Sequence, residues 1–164
     1  MLEARAKMKK LRFSAPEKKE KWMVCIRFPR DVKEKLKEQA ETDYSGRGKQ
    51  SQLVEDAVRY YLYTLCDIKW GEYEKDLDYA ELIDDINEGL SQGPLENATQ
   101  VFFSQQTKNK ILELEKKIKL TNPLMKDVRT GLIRKAVSIR LSIGDKAFFD
   151  SIMSEEECIT AEKY

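Results

Sequence analysis

One pattern occurs twice in this chain, and it limits the available folds more than any other feature. Residues 22–29 alternate as a strand does, with Val24, Ile26 and Phe28 on one face and Met23, Cys25 and Arg27 on the other. Pro29 closes that strand and suits the first turn of a helix. Residues 30–41 then take helical spacing, with Val32, Leu36 and Ala40 on one stripe. A turn at 42–48 leads to a second helix over 49–65, apolar at Leu53, Val54, Ala57, Val58 and Leu62. The order then repeats. A strand is expected at 99–103, then a helix capped by Ser104 that carries Ile111, Leu114 and Ile118 as far as Lys119. A break at 120–123 precedes a last helix over 126–143, stopped by Gly144.

The two second helices align without gaps. Ser51-x-Leu53-Val54-x-x-Ala57-Val58-x-x-x-Leu62 matches Thr130-x-Leu132-Ile133-x-x-Ala136-Val137-x-x-x-Leu141, 79 residues on. The strands align at an offset of 75, Val24-x-Ile26-x-Phe28 against Thr99-x-Val101-x-Phe103. The difference of four falls in the turn between helices, where insertion is tolerated. A lone strand with two short helices cannot bury its apolar face, so each copy needs the other. The expected fold is mainly α with a small two-stranded antiparallel β-ribbon, four helices closing over one ribbon face and the other face left to solvent. A ribbon of that width fits the major groove of DNA.

Charge divides the chain in the same way. Residues 1–66 hold 16 basic and 10 acidic side chains, residues 67–97 hold 2 and 10, and residues 98–164 hold 12 and 9. Five segments follow: a basic arm at 1–21, a first repeat at 22–66, an acidic connector at 67–97, a second repeat at 98–144 and a tail at 145–164. The arm reads equally as a solvated tail or as a phosphate-tracking arm. In the connector, Leu77, Tyr79, Ala80, Leu82, Ile83 and Ile86 suggest a short amphipathic helix ended by Gly89, Gly93 and Pro94. The tail segment 147–153 is apolar enough to dock on the protein's own core or on a partner.

The absence of histidine removes Ser-His-Asp and Cys-His catalysis and histidine metal sites. Gly46-Arg47-Gly48-Lys49 lacks the rest of a phosphate-loop pattern. No catalytic residue, metal site or cofactor is therefore expected. Cys25, Cys66 and Cys158 are odd in number and far apart, which suits a reducing cytoplasm. No stretch nears the roughly 20 apolar residues of a membrane span, and the N-terminus lacks the apolar core of an export signal.

Ile26-Arg27-Phe28-Pro29-Arg30-Asp31-Val32, followed by Gly48-Lys49-Gln50-Ser51-Gln52-Leu53-Val54, resembles the ribbon-helix-helix DNA-binding proteins of the Arc and MetJ type. The likeness is strong over 22–65 and fainter over 98–143. Its tandem form, a pseudo-dimer in one chain, is similar to the TraY-like and Ti-plasmid virulence accessory proteins of conjugation. The resemblance implies base reading by outward strand residues: Met23, Cys25 and Arg27 in the first copy, and Ala98, Gln100 and Phe102 in the second. Arg27 suits guanine and Gln100 adenine; Met23 and Cys25 suit thymine methyls or act as fillers. Phe102 departs from the arginine of the first copy and is a candidate to pack against Trp22 or a tail.

The same resemblance implies a phosphate clamp at the start of each second helix. The clamp residues would be Arg47, Lys49, Gln50 and Ser51 in the first copy, and Arg129 and Thr130, beside Val128, in the second. The implied partner is double-stranded DNA, with further copies of the chain bound alongside. The implied role is a transcriptional repressor or plasmid-maintenance regulator in the bacterial cytoplasm, on the nucleoid or a plasmid. An accessory protein of a conjugative relaxosome, working beside a relaxase, would use the same surface. A reading of another class is an antitoxin-like module whose acidic connector and tail cover a basic protein.

Overall fold

A computed structural model of the protein describes residues 21–66 and 79–143. The arm up to residue 20, the connector stretch 67–78 with Leu77, and residues 144–164, with Gly144, the 147–153 segment and Cys158, lie outside the described residues.

Among the described residues the chain forms five helices and one two-stranded antiparallel sheet. The order is β1 (Trp22–Ile26), α1 (Arg30–Asp43), α2 (Lys49–Cys66), α3 (Tyr79–Leu90), β2 (Thr99–Phe103), α4 (Gln105–Thr121) and α5 (Val128–Ser142). Both strands alternate, and the alternation sorts side chains as expected: Val24, Ile26, Phe28, Val101 and Phe103 are buried, while Met23, Cys25, Gln100 and Phe102 face solvent. The antiparallel register pairs Met23 with Phe102, Val24 with Val101 and Cys25 with Gln100.

β1 stops at Ile26, the partner of Thr99, the first residue of β2. The returning connector takes over there. Glu96 donates its N–H to the Phe28 carbonyl at 2.8 Å, and Leu95 bridges Pro29. Pro29 and Ser104, 75 residues apart, precede α1 and α4; Ser104 caps its helix by accepting the Thr107 N–H. The turn before α2 uses Gly46 and Gly48 at φ +83° and +73°, a region that other residues enter only with strain.

The core lies under the ribbon and draws on both halves. α2 packs on β2 and on α5, so the first half seals the strand of the second. Leu53, Val54, Ala57 and Val58 of α2 meet Leu132, Ile133, Ala136 and Val137 of α5 in one buried cluster. Two hydrogen bonds join polar groups buried with them: Arg140 of α5 donates to Asp43 at the end of α1 at 2.7 Å, and Tyr44 donates to Asp56.

The connector contributes more than a tether. α3 lies against α5, with Leu82 and Ile86 fully buried. Burying two such side chains contributes roughly 3–6 kcal/mol, which holds a helix too short to persist alone. α3 ends at Leu90, one residue past Gly89 and ahead of Gly93 and Pro94, as the sequence reading expects, and Gly89 in its last turn has a packing role as well. A Cβ there would stand 2.1 Å from the Gly131 carbonyl oxygen, and one on Gly131 would stand 2.3 Å from that of Ile86. The two glycines let the helix backbones touch. Tyr61 of α2 steadies α3 by donating to Asp85 at 2.7 Å.

Candidate nucleic-acid interface

Among the described residues, the outward ribbon face is exposed at Met23, Cys25, Gln100 and Phe102. Met23 is 46% exposed and Phe102 42%, and they pair directly across the strands. Paired residues carry Cβ atoms about 4.5–5.5 Å apart, so the two form one apolar surface. Next to them Cys25 faces Gln100, and the Cys25 thiol donates to Met23 Sδ at 3.5 Å. Arg27 and Ala98, both exposed, lie just beyond the other end of the paired stretch. Phe102 does not pack against Trp22. That ring turns inward, its centroid 6.0 Å from that of Phe103.

Arg27 is exposed but anchored. Its Nε and Nη2 donate to the carbonyls of Glu96 and Leu95 at 2.9 and 3.1 Å. An arginine has five N–H donors, so three remain for an outside acceptor. Lys33 holds the same segment by donating to the Asn97 carbonyl at 3.1 Å. These contacts link residues more than 60 apart in sequence, and nothing in the local pattern signals them.

At the start of α2, Arg47 is exposed and makes no ion pair among the described residues. Lys49 pairs with Glu41 at 2.8 Å, an exposed contact that lowers the Glu41 pKa through the hydrogen bond and then the charge. Gln50 is half-buried beside it. The Ser51 hydroxyl needs a correction. It is buried and accepts the Phe102 N–H at 3.0 Å, so it fastens β2 and is not turned toward an outside anion. The first N–H groups of α2 follow Gly48, which has no side chain to cap them, and they carry the positive end of the helix dipole.

The second copy differs. Arg129 makes a bidentate bond to Glu115 of α4, both contacts at 2.8 Å, and lies 4.9 Å above the Trp22 ring. Its charge is committed inside the protein, contrary to the expectation of an open phosphate ligand. The pairing lowers the Glu115 pKa and raises that of Arg129, chiefly through the shared hydrogen bonds. Thr130 is half-buried and Val128 buried. Asp127 before them adopts a left-handed backbone at φ 57° and gives no side-chain cap. Leu120 in the last turn of α4 and Leu124 in the turn that follows are exposed.

Among the described residues no cluster of His, Cys, Asp or Glu is arranged to hold a metal ion. No helix among them is long and apolar enough to cross a membrane. Comparison with protein-family models, with curated proteins and with solved structures finds no match to this chain.

Proposed function

We propose that the chain binds double-stranded DNA by laying the outward face of its ribbon in the major groove, and that it does so as a tandem ribbon-helix-helix pseudo-dimer. One observation carries the reading. Cys25 pairs directly with Gln100, 75 residues on, and 75 is also the interval between the helix-preceding residues Pro29 and Ser104. Strands related by a twofold axis pair with themselves at that axis, so this register is the one that two copies of a single unit would adopt. The inner face is sealed by helices from both halves, which leaves the outer face for a ligand.

Binding on this reading is lopsided. Arg47 and the open N–H groups of α2 supply phosphate contacts on one flank, where a helix N-terminus favours an anion, and Lys49 joins them by exchanging its exposed pair with Glu41 for a phosphate. On the other flank Arg129 is already paired. Regulation of transcription or of plasmid maintenance is the role we assign. The test is selection of bound sites from random duplex DNA, followed by affinity measured against salt. Enrichment of a defined motif, with log K falling by roughly 0.9 per phosphate contact against log salt, supports the reading. No enrichment at any salt concentration contradicts it.

A further inference from the structure

The two ends of the ribbon offer different chemistry. At one end stand Met23 and Phe102, paired and nearly half exposed. At the other stand Arg27, tied to the connector carbonyls, and Ala98. The strand offset of 75 makes these pairs equivalents of one another, Arg27 with Phe102 and Met23 with Ala98. The same two positions therefore carry bulky apolar groups at one end, and a cation with a methyl at the other.

Neither a thioether nor a phenyl ring can read a base edge by paired hydrogen bonds. The major groove offers one apolar feature that they can read, the 5-methyl group of thymine. Gln100, one residue along the same face, suits adenine, the partner of thymine. The sequence that leads into this end is basic. The arm of residues 1–21 carries 8 basic and 3 acidic side chains and joins β1 at Lys21, beside the Met23–Phe102 pair.

Resting on the DNA-binding reading above, we propose that Met23 and Phe102 form a thymine-methyl reader. The recognised site is then asymmetric, with consecutive A·T pairs under this end of the ribbon only. Phe102 is the specificity-determining residue of that half.

Uracil tests this directly, because it differs from thymine only by the methyl. In a duplex selected by the full chain, thymines are replaced singly by uracil. At one or two adjacent positions each replacement should weaken binding about four-fold, the value of one buried methyl-sized group. Phe102→Ala and Met23→Gln, both at exposed positions, should bind the thymine and uracil duplexes alike while melting as the parent does. Equal affinity of the parent chain for both duplexes would overturn the proposal and leave the patch to a protein partner. Discrimination that survives in both variants would overturn it as well. If the parent chain selects no duplex, the DNA-binding reading itself fails, and that result is distinct from indifference to the methyl.

Discussion

Glu55 and Arg134 occupy matching places in α2 and α5, 79 residues apart, and each closes the strand of the opposite half. Glu55 accepts the Ser104 N–H just past β2 at 2.7 Å. Arg134 donates to the Arg27 carbonyl just past β1, also at 2.7 Å. One copy uses an acid to satisfy a donor and the other a base to satisfy an acceptor. Arg134 reaches the Gly89 carbonyl of α3 as well, at 3.4 Å, so it joins ribbon, connector and helix. Burial, and then the nearby charge of Arg27, lower its pKa.

Arg134→Met keeps the length and apolar stem but leaves the Arg27 carbonyl without its donor. Loss of a hydrogen bond from a charged group costs about 1.5–3 kcal/mol. The urea midpoint should fall with an unchanged m-value. An unmoved midpoint would show that the contact contributes nothing to stability.

The ion pair between Asp43 and Arg140 is buried on both sides, 2.7 Å long, and links α1 to α5. Arg140→Met should destabilise by about 3–5 kcal/mol, because it removes the cation from a buried carboxylate to which Gln39 still donates. Replacing both, as Asp43→Leu with Arg140→Met, should recover most of that loss. Denaturation of the single and double variants checks this; a double variant no better than the single would contradict it.

The Gly89–Gly131 crossing leaves no room for a methyl. Gly131→Ala sets a Cβ against the Ile86 backbone, which cannot yield as a flexible side chain would. We expect a loss of about 1–3 kcal/mol and faster amide exchange in α3 than in β1. Uniform exchange across both elements would mean that α3 does not open separately.

Sequence and structure agree where periodicity is local. The alternation of Val24, Ile26 and Phe28 and the stripe of Val32, Leu36 and Ala40 place these residues correctly, because burial imposes the period. Gly89 is legible as a residue at the end of α3, but its contact with Gly131 is not, because the facing backbone of α5 comes from residues more than 40 positions on. Arg27, Ser51 and Arg129 were legible as polar groups near a surface, but not as groups with partners. Their acceptors and donors, Leu95, Glu96, Phe102 and Glu115, arrive through tertiary folding over 14 to 69 residues, a separation that carries no periodic signal.

Glu115 gives a dependence on pH. Arg129 lowers its folded pKa below the ordinary 4.5. The contribution to stability is therefore complete above the ordinary value and is lost as pH falls through the lowered one. The urea midpoint of the parent chain should decline below about pH 4.5, and Glu115→Gln should flatten that decline. The same variant frees Arg129 for phosphate, so its salt slope on DNA should steepen by about 0.9. An unchanged slope would show that Arg129 does not reach the duplex even when released.

The most direct measurement uses Cys25, an exposed free thiol at the middle of the ribbon, opposite Gln100. Iodoacetamide alkylation is followed at Cys25 by peptide mass spectrometry, without DNA and in a saturated complex with the selected duplex. If the outward ribbon face lies in the groove, alkylation of Cys25 slows in proportion to the fraction bound, and protein alkylated beforehand loses its selectivity for the site. Alkylation at the same rate in the saturated complex would mean that DNA lies elsewhere on the molecule, and the ribbon reading would be wrong.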